Sequence, residues 1–175
     1  MLDKLLDFIV SIWNDLIPVA VLNSYTGAVQ IRLGKTLRVL EGGGWYWKIP
    51  FADYILHDIV VPRTERLTGL ATTTSDGKAI GFDAVITYRI SDIQRALLEV
   101  HDLKDAIADS CAGIIGTELS NRAWAAIIHG DTVEELTAAC RKRGWKWGVE
   151  IQLVQLTGVA PVKNLRVSLS GHAHI

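Results

Sequence analysis

Apolar residues crowd one side of the opening segment, LDKLLDFIVSIWNDLIP. Projected at about 100° per residue, Asp3, Lys4, Asp7, Ser11, Asn14, Asp15 and Pro18 fall within an arc of roughly 120°. Leu2, Leu5, Leu6, Phe8, Ile9, Val10, Ile12, Trp13, Leu16 and Ile17 take the remainder. The pattern predicts an amphipathic helix within residues 1–18, ended by Pro18. A spanning helix needs about 20 apolar residues; this one is shorter and carries Asp7 and Asp15 inside it, so it is not expected to cross a bilayer. Two placements stay open. The helix can lie flat in the lipid interface with Leu5, Leu6, Phe8, Ile9, Ile12, Leu16 and Ile17 downward and Trp13 near the headgroups. It can instead pack against its own domain or another subunit. The single Lys4 against three acids weakens the lipid placement, because interfacial helices are commonly lysine-rich.

The pattern then shifts to period two. VAVLNSYTGAVQIRLGK reads as two short strands around a turn at Asn23 to Gly27, and TLRVLE as another strand ending at Gly42-Gly43-Gly44. YILHDIVVPRTERL is extended and β-branched, with Pro62 marking an edge or a break. The strongest strand signal follows the turn dipeptide Asp76-Gly77. Ile80, Phe82, Ala84, Ile86, Tyr88 and Ile90 alternate with a more polar set and are the predicted core face.

Beyond Ile90 the period becomes helical. Asp92 can cap a short helix over IQRALLEV. One long helix is expected over LKDAIADSCAGIIGTELSNRAWAAII, with Leu103, Ile107, Cys111, Ile114 or Ile115, and Leu119 as its buried stripe. Gly113 and Gly116 within it suggest a bend or the close approach of another backbone. Thr132 and Glu135 have capping-box spacing for a further helix, which Gly144 should stop after a basic turn. WGVEIQLVQLTGVAP is the last predicted strand. Strands, then helices, then a strand make an α+β chain.

Composition narrows the function. The 175 residues carry a formal net charge of −1 at pH 7, so no field invites nucleic acid. Six tryptophans and a high apolar fraction point to a membrane surface or a large subunit interface. Cys111 and Cys140, in separate predicted helices, lack any metal-ligand spacing and read as buried thiols. His57, His101 and His129 are scattered, and His172 with His174 sits in a polar tail. The glycine run lacks the spacing of a phosphate loop, and Trp45-Tyr46-Trp47 rather than a helix start follows it. No nucleophile motif is present. No enzyme activity, cofactor or metal site is expected.

Five ordered motifs resemble the SPFH or band 7 domain of stomatins, prohibitins and flotillins. They are AVQIRLGK at residues 28–35, GGGWYWKIPF at 42–51, SDGKAIGFDAVITYRISD at 75–92, IIGTELS at 114–120 and RGWKWGVEIQLVQLTGVAP at 143–161. The similarity runs from about Val19 to Pro161, leaving residues 162–175 as a short tail. It implies an α+β domain with a twisted, mainly antiparallel sheet. It also implies a homo-oligomeric ring or cage at the cytoplasmic face of a membrane, peripheral or monotopic, that gathers membrane proteins. Membrane lipid, other membrane proteins and a host assembly of the same family are the partners it suggests. Gly43 stands where the family commonly has proline, and the long helix that follows the domain in many relatives is not seen. Trp45 and Trp47 are candidates for lipid contact, on one side of an extended segment with Tyr46 opposite. Trp145 and Trp147 are candidates for a subunit contact, or for one ring in the core and one over an edge. A soluble oligomeric structural protein, such as a viral shell component using the first helix between subunits, is the competing reading.

Overall fold

A computed structural model describes residues 18–129 and 132–162. The first predicted helix, with Leu5, Leu6, Phe8, Ile9, Ile12, Trp13, Leu16 and Ile17, lies outside the described residues, as does the tail from Lys163. Strands β1 (Val19–Leu22), β2 (Thr26–Arg32), β3 (Lys35–Leu40), β4 (Gly44–Trp47) and β5 (Asp53–Ile59) come first. Then follow β6 (Arg63–Thr73), β7 (Ala79–Ile90), helices α1 (Ile93–Leu98), α2 (Leu103–Ser120), α3 (Trp124–His129) and α4 (Val133–Gly144), a 3₁₀ turn (Trp145–Trp147) and β8 (Val149–Pro161). The architecture is α+β.

The strands form a β1-β4 ribbon, a β3-β2-β5 sheet and a β6-β7-β8 sheet, all antiparallel. All six residues of the predicted β7 core face are buried. Helix α2 covers β6, α4 covers β8, and the two helices touch over the middle of the sheet. The α2 stripe is Leu103, Ile107, Cys111, Ile115 and Leu119, which resolves the choice at 114 or 115 in favour of Ile115. Asp92 caps α1 by accepting from the Arg95 N–H. Pro62 lies in the break between β5 and β6, where Arg63 makes paired hydrogen bonds to Asp58. The first sheet meets α1 closely, because a Cβ on Gly27 would lie 2.8 Å from Val60 and 3.2 Å from Ile93.

Four local expectations are corrected. The long helix is two: it ends at Ser120, and α3 restarts at Trp124. The restart is fixed by a distant partner, since Asp76 of the β6–β7 turn accepts from the Trp124 N–H at 3.1 Å. Periodicity cannot see a cap that arrives from another element. At Gly113 and Gly116 no neighbour occupies the place of a side chain, since an added Cβ would meet nothing within 4 Å at either; the close approach at Gly116 is to its carbonyl, which accepts from Thr72 Oγ1 at 3.2 Å. Thr132 makes no side-chain cap, and Glu135 instead pairs with Arg122. Finally, α4 does end at Gly144, but Gly144 is itself helical at φ −59°, a separate 3₁₀ turn containing both Trp145 and Trp147 follows, and the left-handed stop falls at Gly148, φ +67°. A Cβ there would sit 2.5 Å from the Asp92 carbonyl oxygen, so the tight approach as well as the backbone angle calls for glycine.

Candidate functional site

Two turns at one end of the first sheet break the usual residue rules. Arg32 and Lys35 face each other across β2 and β3, leaving Leu33 and Gly34 as a two-residue hairpin loop. Their φ values are +49° and +79°. A loop with both residues at positive φ normally takes Asn-Gly or Asp-Gly. Next to it, the Ala52 N–H donates to the Ile49 carbonyl at 3.2 Å and closes a β-turn with Pro50 second and Phe51 third. Phe51 has φ +63°, at a place where such a Pro-containing turn takes Gly or Asn. The two turns are tied by a hydrogen bond from Leu33 N–H to the Ala52 carbonyl at 3.0 Å. Leu33 is 81% exposed and Phe51 85% exposed. Backbone strain and solvent-facing apolar surface therefore coincide in two adjoining turns, the combination that marks functional sites.

Asp53 holds this end rigid. Its side chain is fully buried. It accepts from Arg32 Nε at 2.6 Å and Nη2 at 2.9 Å, Gln30 Nε2 at 2.7 Å and the Ile49 N–H at 2.8 Å. The Arg32 hydrogen bonds hold its carboxyl well below the usual carboxylate range, opposed by desolvation and assisted by Ile49 and Gln30. Gln30, also fully buried, donates to the Trp47 carbonyl at 3.1 Å and accepts from Arg38 Nε at 2.8 Å. The Lys48 N–H donates to the Pro18 carbonyl at 2.8 Å. Pro18 therefore lies at the same end of the fold as Leu33 and Phe51.

Trp45 and Trp47 extend the apolar surface. In the β1-β4 ribbon Val21 pairs with Trp45 and Val19 with Trp47, so these four share one face. Trp45 is 66% and Trp47 62% exposed, and Val21 is exposed beside them. Tyr46 points the other way, onto Leu22, Ala28 and Leu40, with its hydroxyl donating to the Glu41 carbonyl at 2.6 Å. The glycines before them serve packing: a Cβ on Gly42 would lie 2.4 Å from the Asn23 oxygen and 2.5 Å from the Thr26 oxygen. Gly43 turns at φ +85°.

Trp145 and Trp147 belong to another region. Trp147 packs against the main core with Arg143 stacked 5.1 Å over its ring, and Trp145 is exposed. Nearby, Ser110, Gly113 and Ile114 of α2 face Lys142, Arg143 and Lys146 across a groove of about 620 Å³. Cys111 and Cys140 are both buried, and the hydrogen bond to Cys111, with burial, pushes the Cys140 thiol up. Among the described residues no three His, Cys, Asp or Glu side chains gather as for a metal, and no helix is long and apolar enough to cross a membrane.

Sequence reasoning placed the apolar surface on the first helix and on Trp45 and Trp47, and passed over Leu33 and Phe51. A signal for Leu33 was present. Leu-Gly stands between two strands where Asn-Gly would be ordinary, and that mismatch identifies an apolar side chain kept at a turn despite its backbone.

The family description SPFH domain / Band 7 family matches residues 20–170. An uncharacterized protein of Methanocaldococcus jannaschii, MJ0827, is 26% identical over 161 residues, covering 87% of this chain and 77% of that protein. The order of elements, the α+β architecture and the extent of the match lead to one conclusion: this chain belongs to the SPFH domain / Band 7 family.

Proposed function

We propose that the chain is a membrane-associated, homo-oligomeric scaffold that organises membrane proteins at the cytoplasmic face. Proteins of this family are generally membrane scaffolds and generally not enzymes. The observation that carries the reading for this chain is the exposed pair Leu33 and Phe51 in two hydrogen-bonded turns at positive φ. These turns present apolar side chains on a rigid tip, and Lys35 and Lys48 lie beside them with cationic heads suited to the headgroup layer. Residue 18 enters the fold at the same end, so an amphipathic segment and the tip can meet one lipid surface together.

Co-sedimentation of the full chain with phospholipid vesicles tests this. Binding that drops in the Leu33→Asn/Phe51→Asn double variant supports the tip as the contact. A full chain that stays in the supernatant with vesicles, and forms the same discrete oligomer without them, overturns the membrane reading and favours a soluble assembly.

A further inference from the structure

We infer that copies of this chain associate head to tail through the first sheet, the tryptophan face of one packing against the Val39 and Tyr54 face of the next. The two faces lie on opposite sides of one stack of strands. Leu22 and Tyr46 turn inward from the β1-β4 ribbon onto Ala28, Leu40 and Ile55, so Val21, Trp45 and Trp47 look outward. Val39 of β3 sits opposite Val29 of β2, and Tyr54 of β5 opposite Ile31, so each shares its partner's side of the sheet. Val29 and Ile31 reach the main core, which lies on the side away from the ribbon. Trp45, Trp47 and Tyr54 are 66%, 62% and 65% exposed, and Val39 and Leu37 are exposed as well.

The faces match in level as well as in character. Strands β2 and β4 both run toward the Leu33 and Phe51 turns. Gln30 Nε2 donates to the Trp47 carbonyl at 3.1 Å, and Gln30 precedes Ile31, the partner of Tyr54. Trp47 and Tyr54 therefore stand at one height above the turns. Trp45 lies two residues farther from the turns along β4, and Val39, opposite Val29, lies two residues farther along the sheet. Each step is roughly 7 Å. A sideways translation thus lays Trp47 over Tyr54 and Trp45 over Val39. Val39 also borders a groove of about 430 Å³ walled by Gly27, Val60 and Ile93, with Glu41 beside it as an acceptor for an indole N–H.

Orientation selects a second copy over lipid as the occupant, and this step rests on the membrane contact proposed for the Leu33 and Phe51 tip. A lipid plane met by the tip lies across the strand ends, so both faces look sideways along the membrane. A contact between unlike faces repeats in that plane, leaves every tip on one surface, and closes to a ring when the rotation allows. The area suffices for a specific contact. The three exposed aromatic rings offer roughly 450 Å², and Val21, Val39 and Leu37 raise the apolar total to roughly 700 Å². Apolar atoms make up about 57% of an ordinary interface, so the whole contact buries roughly 1,200 Å², the lower bound for specific association.

Cross-linking of the full chain tests the contact, with and without phosphatidylcholine–phosphatidylglycerol vesicles. Trp45→Cys protein mixed with Val39→Cys protein should be joined between chains by a short bismaleimide, which suits packed sheets about 10 Å apart. Neither protein should join to its own kind, and the buried Cys111 and Cys140 stay out of the reaction. Trp45→Ser/Trp47→Ser should weaken self-association at least about thirtyfold in sedimentation velocity while keeping the far-UV spectrum of the parent. Trp45→Cys protein that joins to itself, a mixture that stays monomeric, or a serine variant that associates like the parent overturns the inference. A serine variant that loses vesicle binding yet keeps its self-association assigns the tryptophans to lipid and overturns it as well. A cross-link formed in a chain that never sediments with vesicles removes the membrane reading and keeps the contact, whereas vesicle binding without the cross-link removes the contact alone.

Discussion

Replacing Leu33 and Phe51 with asparagine should make the protein more stable and a poorer membrane binder at once. The left-handed region costs an ordinary L-residue roughly 1–2 kcal/mol, and asparagine recovers part of that through local hydrogen bonding. Leu33, at 81% exposure, has little packing to lose. About a fifth of the roughly 2 kcal/mol worth of a fully buried leucine is about 0.4 kcal/mol. Phe51, at 85% exposure, is similar. The net gain is then about 0.5 kcal/mol per site, about 1 kcal/mol for the pair, and a rise in Tm of roughly 2–4 °C for a chain of this size. The membrane term runs the other way. The two side chains present roughly 250 Å² of apolar surface, worth about 6 kcal/mol at 25 cal/mol per Å² if wholly withdrawn from water. Half-immersion gives about 3 kcal/mol, or roughly a hundredfold in partitioning. Thermal unfolding and vesicle co-sedimentation on one preparation read both quantities. A double variant destabilised by more than about 1 kcal/mol would show that packing, not strain, governs these turns. Unchanged partitioning would place the membrane contact elsewhere.

Other substitutions separate glycines that are needed from those that are not. Gly42→Ala should cost about 2–3 kcal/mol in chemical denaturation, since its Cβ would lie 2.4 and 2.5 Å from two carbonyl oxygens. Gly113→Ala, with nothing within 4 Å, should stabilise α2 by about 1 kcal/mol, and a loss of oligomerisation on sizing would reveal a partner at that face. Asp53 has a folded pKa below its unfolded value of about 3.9, so its contribution is whole above that pH and is lost as pH falls toward the folded value. Acid titration followed by circular dichroism should show a shallower decline below about pH 4 for Asp53→Asn. Asp76, lowered chiefly by Thr74, should leave a residual slope in that variant. The buried thiols Cys111 and Cys140 should resist a thiol reagent in the folded protein and both react in denaturant.

What the sequence revealed depended on how local the cause was. The β7 core face was legible because a two-residue period across half-buried pleats records one buried side directly, and all six of its members are buried. The Asp92 cap was legible because cap and helix are neighbours in the chain. The restart of α3 was hidden because its cap comes from Asp76, 48 residues earlier. Thr132 and Glu135 show the converse: their spacing satisfies a local motif, yet Glu135 is taken by Arg122 from another element. The common side of Trp45 and Trp47 followed from alternation, whereas their pairing with β1 rather than β3 did not, since register is a long-range property. Leu33 and Phe51 escaped because exposure at a turn is unremarkable until the sign of φ is known.

Packing is uneven along the chain, and this bears on how the tip works. The core that β7 and β8 share with α2 and α4 is broad, whereas Leu22, Ala28 and Leu40 are the buried members of the smaller cluster between β1, β2 and β3, supported by Tyr46 and Ile55. With Val29 and Ile31 of β2 reaching the main core as well, this is still little apolar burial with which to hold five strands. The first sheets therefore draw also on the hydrogen bonds that converge on Asp53 and on the seat of Gly27 against Val60 and Ile93, while Val21, Trp45 and Trp47 stand exposed. A surface that binds only the folded state adds about 2.7 kcal/mol of stability at a hundredfold excess over its Kd. A lipid surface or a neighbouring copy against the tryptophan face would thus act on the least-packed part of the molecule. Strain in the Leu33 and Phe51 turns is tolerable on the same grounds, because the Asp53 network fixes the turns and a lipid contact of the kind proposed would offset the cost.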